Sequence, residues 1–255
     1  MKSVFQGAAL ALTLALAGSA AVPETQHAFA ASAASALAAP APFRLTENDV
    51  EASNQKIAAA YQHLVGTWTD AFRQVGERFV PPRIARYRGT TMTSCGRMPA
   101  NNAVYCPSRN TVFYDEVFVA AQAKAAANEL GTDGDMAAIG IIAHETGHAV
   151  ALQLGYRGRF TYDNEKAADC LAGAFARQAD RDGALERGDV EEAFFGMASA
   201  ADPEPELTGD VRTDRRIVQR QVLMGHGTRE QRMTNFRTGL QRGARACIPQ
   251  LAALR

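Results

Sequence analysis

Residues 141–150 read IIAHETGHAV. His144 and His148 stand four residues apart in an apolar stretch, just over one helical turn, so both imidazoles leave one helix face and can reach a single tetrahedral ion. Glu145 projects about 100° round from His144. That sets its carboxylate beside the ion rather than on it, where it can take a proton from water activated there. Two histidines and a glutamate in an otherwise apolar helix need a reason of this kind, because buried polar groups must be paired. The competing reading is a helix whose histidines are satisfied by hydrogen bonds inside the core.

A catalytic zinc needs a third protein ligand and an open position. His63 reads as a packing or surface residue, on a helix that also carries Tyr61 and Trp68. Glu165, in YDNEKAADC, is the better candidate for the third ligand. It opens the next helix after a loop from Tyr156 to Asp163, long enough to return the chain to the ion from its other side. Its alternative is a helix N-terminal acid favoured by the dipole. Asp169 lies four residues beyond Glu165, on the same face, and can accept the Nδ1–H of a ligand histidine and so fix its tautomer; a plain salt bridge is the alternative. His226, in a Gly-His-Gly turn before a helix, is a candidate second donor to the developing oxyanion, or a loop or capping residue.

The elements that must position these groups are mostly helical. Thr46 can cap a helix to about Gly76, with Ile57, Tyr61, Leu64, Val65, Trp68 and Phe72 at helical spacing. Pro81-Pro82 stops any helix, and residues 83–95 read as extended. Val112-Phe113-Tyr114 is a short β-prone run. Asp115 can cap a helix to Leu130, ended by Gly131. Further helices are expected over about Asp135–Leu154, Asn164–Asp180, Asp189–Ala200, 209–224 and 229–244. Asp189 with Glu192, and Thr228 with Gln231, have capping-box spacing. The fold class is therefore α+β, predominantly α, with a little β.

The chain has 255 residues, 27 basic and 27 acidic, and is 47% hydrophobic. Such a composition supports a real core and excludes wholesale disorder. Zero net charge argues against a nucleic-acid partner. Charge is nevertheless segregated: residues 180–210 carry ten acids and two arginines, whereas 211–245 carry nine arginines and two acids. The plain expectation is solvated helix faces that pair with each other; the sharper one is a cationic rim for a peptide carboxylate or an anionic surface.

Lys2 precedes AALALTLALA (8–17), too short for a comfortable span but suited to a signal-peptide core. Cleavage after Ala20 or Ala30 fits the small-x-small rule, with Ala30 preferred. The expectation is a signal peptide over 1–30, a flexible Ala/Pro-rich lead-in over 31–42 and a single domain over 43–255. Export, periplasmic or secreted, follows; an uncleaved N-terminal anchor is the alternative, and the only route to a membrane. Outside the cytoplasm disulfides persist. Cys95 and Cys106 bracket a short loop and read as one bridge, and Cys170 and Cys247 as a second. Free, buried thiols are the alternative for each pair.

HETGH followed by NEKAADC resembles the zincin metallopeptidases whose third ligand is a glutamate. More narrowly, four stretches resemble the bacterial putative neutral zinc metallopeptidase family: PPRIARYRGTTMTSCG (81–96), YCPSRNTVFYDE (105–116), AHETGH with EKAADCLAGAFA (143–176), and HGTREQR (226–232). The resemblance covers the chain from about Thr46 to Cys247. The resemblance implies one catalytic Zn2+ held by His144, His148 and Glu165, with Glu145 as general base and a peptide or protein as substrate. It further implies an edge strand that aligns the substrate backbone, for which Thr111–Tyr114 is the expected place. The leading expectation is an exported zinc endopeptidase. A zinc-bearing but catalytically silent envelope module, and a zinc hydrolase of a non-peptide amide, are the alternatives; the intact Glu145 favours catalysis.

Overall fold

The computed structural model describes residues 44–254. The expected signal peptide, its cleavage sites and the 31–42 lead-in lie outside those residues. Helix α1 (Glu47–Gln74) opens with a reciprocal cap: the Asp49 N–H donates to Thr46 Oγ1, and the Thr46 N–H to the Asp49 carboxylate. Two otherwise orphaned donors are thereby satisfied. Ile57, Tyr61, Leu64, Trp68 and Phe72 form its buried side.

After Pro82 the chain makes strands β1 (Arg83–Tyr87), β2 (Thr91–Thr93), β3 (Gly96–Met98), β4 (Ala103–Cys106) and β5 (Thr111–Asp115). β2 and β3 form a small antiparallel hairpin. The larger sheet has the order β1-β5-β4, with β5 parallel to β1 and antiparallel to β4. The run Thr111–Tyr114 is therefore the central strand, not the edge. Its β-prone residues did mark a strand, but Val112 and Tyr114 are almost wholly buried between two partners. Propensity registers a pleated, packed surface and is silent about which strand keeps a free side. The edge nearest the histidine helix is β4.

Asp115 caps α2 (Glu116–Leu130) through the Val117 N–H, and Gly131, at φ 70°, ends it. Helix α3 (Asp135–Gln153) follows. Fifteen of its 19 residues are buried, so it is covered on every side rather than along one stripe. His144, Glu145 and Thr146 therefore sit inside the protein, and His148 is half-buried.

Helix α4 (Thr161–Arg181) begins three residues before the expected start at Asn164. Asp163 reaches back to the Phe160 N–H at 3.0 Å, the acidic half of a capping box without its Ser/Thr half. Glu165 consequently lies in the second turn, past the N-terminal donors. Gly147 lets α3 and α4 approach closely, since a Cβ there would come within 2.9 Å of the Ala168 carbonyl oxygen.

Helix α5 (Asp189–Ser199) corrects a second expectation. Gly188, not Asp189, is its N-cap, and the Asp189 carboxylate accepts the Glu186 N–H at 2.7 Å. Glu192 turns away from its own helix. Fully buried, it accepts the N–H groups of Gly134 and Met136, both at 2.9 Å, at the start of α3.

Helices α6 (Val211–Met224) and α7 (Arg229–Arg242) complete the order, α7 with the expected Thr228/Gln231 box. Gly239 lets α7 press on α4, where a Cβ would collide with the Cys170 carbonyl. Disulfides join Cys95 to Cys106 and Cys170 to Cys247, the second tying α4 to the segment beyond α7.

The acids of 180–210 and the arginines of 211–245 do not pair with each other among the described residues. Several of the acids bind backbone N–H groups instead: Asp189, Glu192, Asp202 and Asp210 all do so. No helix of the described residues is long and apolar enough to cross a membrane.

Candidate metal centre

Two helices and one strand edge meet at the histidines. From α3, His144 Nε2 and His148 Nε2 lie 3.2 Å apart. From α4, Glu165 Oε2 is 3.2 Å from His144 Nε2, and Oε1 is 3.5 Å from His148 Nε2. Zinc bonds near 2.0–2.1 Å put tetrahedral ligand atoms about 3.3 Å apart. The two imidazole nitrogens have the spacing of two such corners, and the Glu165 carboxylate faces both, one oxygen toward each.

The chemistry of these donors agrees with their spacing. His144 Nδ1 lies 2.8 Å from Asp169 Oδ1 and donates there. In the neutral ring Nε2 then carries a lone pair, directed toward a carboxylate that also only accepts. Glu165 Oε2 is buried and has no hydrogen-bond partner. A cluster of acceptors without a donor is a place for a cation.

Without one, a proton takes its place. Burial opposes charge on His144, yet the adjacent carboxylates of Asp169 and Glu165 push its pKa up to about 10. Burial would raise Glu165, but the imidazoles of His144 and His148 beside it hold it well below the usual carboxylate range.

Arg232, from α7, stands behind the histidine. It is buried, with Nη2 2.7 Å from Asp169 Oδ1 and Nη1 donating to the Ala200 carbonyl at 2.7 Å. Burial raises the Asp169 pKa, but the guanidinium and His144 more than offset this and lower it. The close α4–α7 contact and the bridge through Cys170 set this pair. Arg232 lay within the HGTREQR stretch, so a sequence signal existed, but among nine arginines its type alone did not separate it.

Glu145 is buried beside the histidines: one carboxylate oxygen lies within 4.8 Å of a ring nitrogen of each. Its Oε2 accepts the outward N–H of Tyr105 on β4 at 2.6 Å. A backbone donor of this kind leaves no mark in side-chain identity. A cleft of about 290 Å³ opens over the centre, lined in part by Asn102, Ala103, Ile141, His144, Glu145 and His226. His226 is exposed on its rim, with Nδ1 3.5 Å from Asp202 Oδ1. His63 is elsewhere, against Phe175 and Asp182. Cys170 is held in its disulfide.

Residues 8–249 match the model of the family described as putative neutral zinc metallopeptidase, and the chain belongs to that family. Among curated proteins it is similar to two named "Uncharacterized protein YpfJ", from Escherichia coli strain K12 and from E. coli O6:H1 strain CFT073. Each is 33% identical over 195 residues, covering 69% of this chain and 64% of the relative. The chain thus spans 64% of the length of the curated relatives it matches. No solved structure matches it.

Proposed function

We propose that this protein is an exported zinc-dependent endopeptidase, with His144, His148 and Glu165 holding one zinc ion and Glu145 as general base. The observation that carries the reading is the convergence of two imidazole nitrogens 3.2 Å apart on the Glu165 carboxylate, whose oxygens lie 3.2 Å from one and 3.5 Å from the other, beside a second carboxylate.

Zinc bound there would acidify water and polarise the scissile carbonyl. Glu145 keeps one oxygen on the Tyr105 amide, which fixes its rotamer, and its carboxylate takes the proton from water and delivers it to the leaving amine. Asp169 holds the His144 tautomer, and Arg232 keeps Asp169 ionised and in place. The free side of β4 lines the cleft at Ala103 and offers backbone groups to an extended peptide. His226, on the rim of the same cleft, is the candidate donor to the oxyanion. Two disulfides and the N-terminal apolar run support export with residues 1–30 as leader.

The test is digestion of an unbiased peptide mixture by zinc-loaded wild type and by Glu145→Gln, read by mass spectrometry. Cleavage by wild type alone is expected. Zinc bound to both proteins with cleavage by neither would overturn catalysis in favour of a silent zinc module.

A further inference from the structure

We propose that the segment Leu207–Leu223, centred on α6, is a docking surface for an anionic lipid bilayer. The ends of the segment are drawn together at one point. There the Asp202 N–H donates to the Gly227 carbonyl at 2.9 Å, and the Gly227 N–H to Asp202 Oδ2 at 3.0 Å. Between those anchors the helix rests on α4 by one face only, with Ile217 and Gln221 half-buried, and no α6 residue whose burial is described is fully buried.

Apolar side chains are left in water along it. Leu207, Val211, Val218 and Leu223 are 60, 71, 45 and 40% exposed, half of the eight exposed large hydrophobics among the described residues. At 100° per residue, Val211, Val218 and Val222 share an arc of roughly 40°. Arg212, Arg215, Arg216 and Arg220 fill the neighbouring arc of roughly 140°, with Leu223 among them.

None of these four arginines makes an ion pair among the described residues. Asp214, the one acid of α6, is spent on the N–H groups of Thr208 and Gly209. The surface is therefore a basic arc edged by exposed aliphatic side chains. An acidic polypeptide would answer the charge alone. The headgroup boundary of an anionic bilayer answers both, with phosphates for the guanidiniums and acyl chains for the valines and leucines.

The return point carries His226 to the rim of the cleft. Docking would set that cleft at the membrane surface and, resting on the peptidase reading, favour membrane-associated polypeptides as substrates. Docking itself needs no chemistry in the cleft, so its test stands apart from that reading.

The test is flotation of the full-length, zinc-loaded protein with vesicles of phosphatidylcholine alone, or of equal parts phosphatidylcholine and phosphatidylglycerol. Any contribution of the N-terminal apolar segment is common to all samples. Wild type is expected to prefer the anionic vesicles by at least about tenfold, a preference that falls with salt, since each basic residue near such a surface adds roughly fivefold. R212E/R215E/R216E/R220E should lose that preference while keeping its far-ultraviolet dichroism and unfolding midpoint, because α6 supports no core. L207S/V211S/V218S should weaken binding with the charge unchanged, and keeps the test decisive if charge reversal disturbs the fold. Absence of the preference in wild type, or its survival in both variants, overturns the proposal. So does retention of wild type by polyglutamate without binding to vesicles, which would assign the surface to an acidic polypeptide.

Discussion

Glu192 is predicted to be a stability determinant of the histidine helix, although it belongs to another helix and touches no ligand. Its carboxylate is fully buried and accepts two backbone donors, Gly134 N–H and Met136 N–H, each at 2.9 Å. These are orphan groups at the start of α3, where no earlier turn exists to receive them. Glu192→Ala removes both bonds and leaves two donors buried without partners. A hydrogen bond to a charged group contributes about 1.5–3 kcal/mol, and the abandoned donors cannot be replaced because they are backbone. The expected loss is about 3–5 kcal/mol. For a domain of this size that lowers Tm by roughly 6–20 °C. Glu192→Gln keeps one acceptor oxygen and should lose about half as much. The assay is urea unfolding of metal-free protein, so that zinc binding does not mask the change, followed by the fluorescence of Trp68. That residue is the only tryptophan and is almost wholly buried. An alanine variant within about 0.5 kcal/mol of wild type would refute the reasoning, since buried donors left unpaired cannot cost so little.

Other outcomes follow from the same geometry. Arg232→Met should destabilise the metal-free protein by about 3–5 kcal/mol by leaving buried Asp169 without its guanidinium, and Arg232→Lys should recover only part, lacking the fork; equal midpoints for all three would contradict this. Metal-free protein should lose stability as pH rises. The His144 pKa is raised in the folded state, so its contribution is complete below about 6.5 and disappears as pH climbs to about 10. That of Glu165, whose pKa is lowered, is present above about 4.5 and lost in acid. Zinc should abolish the alkaline loss, which Tm against pH with and without chelator will show. Unreduced protein should react with no thiol reagent, and four thiols should appear on denaturing reduction, read by intact mass.

Much of this protein was legible one residue at a time. The i, i+4 histidines, the acid between them and the Glu165/Asp169 pair follow from helix geometry, because a helix places residues four apart on one face in any context. Caps at Thr46, Asp115 and Thr228 are equally local, each an oxygen two or three residues from the N–H it accepts. The long stripe of α1 was visible for the same reason.

What tertiary structure decided are the choices among partners of equal local merit. Thr111–Tyr114 and Ala103–Cys106 are both short strands, and only the pairing with β1 made one central and left the other a free edge beside Glu145. Glu192 had a capping box available in sequence, but the orphan donors of α3 lay within reach, and α5 started one residue too early for the local option. Arg232 was one arginine of nine until the contact of α7 with α4 buried it against Asp169. Helical periodicity and capping are set by bonds within a few residues, and the sequence determines them alone. A strand's free edge, a carboxylate's donor and a guanidinium's burial depend on segments 32 to 63 residues away or on strand order, so only the packed chain could settle them.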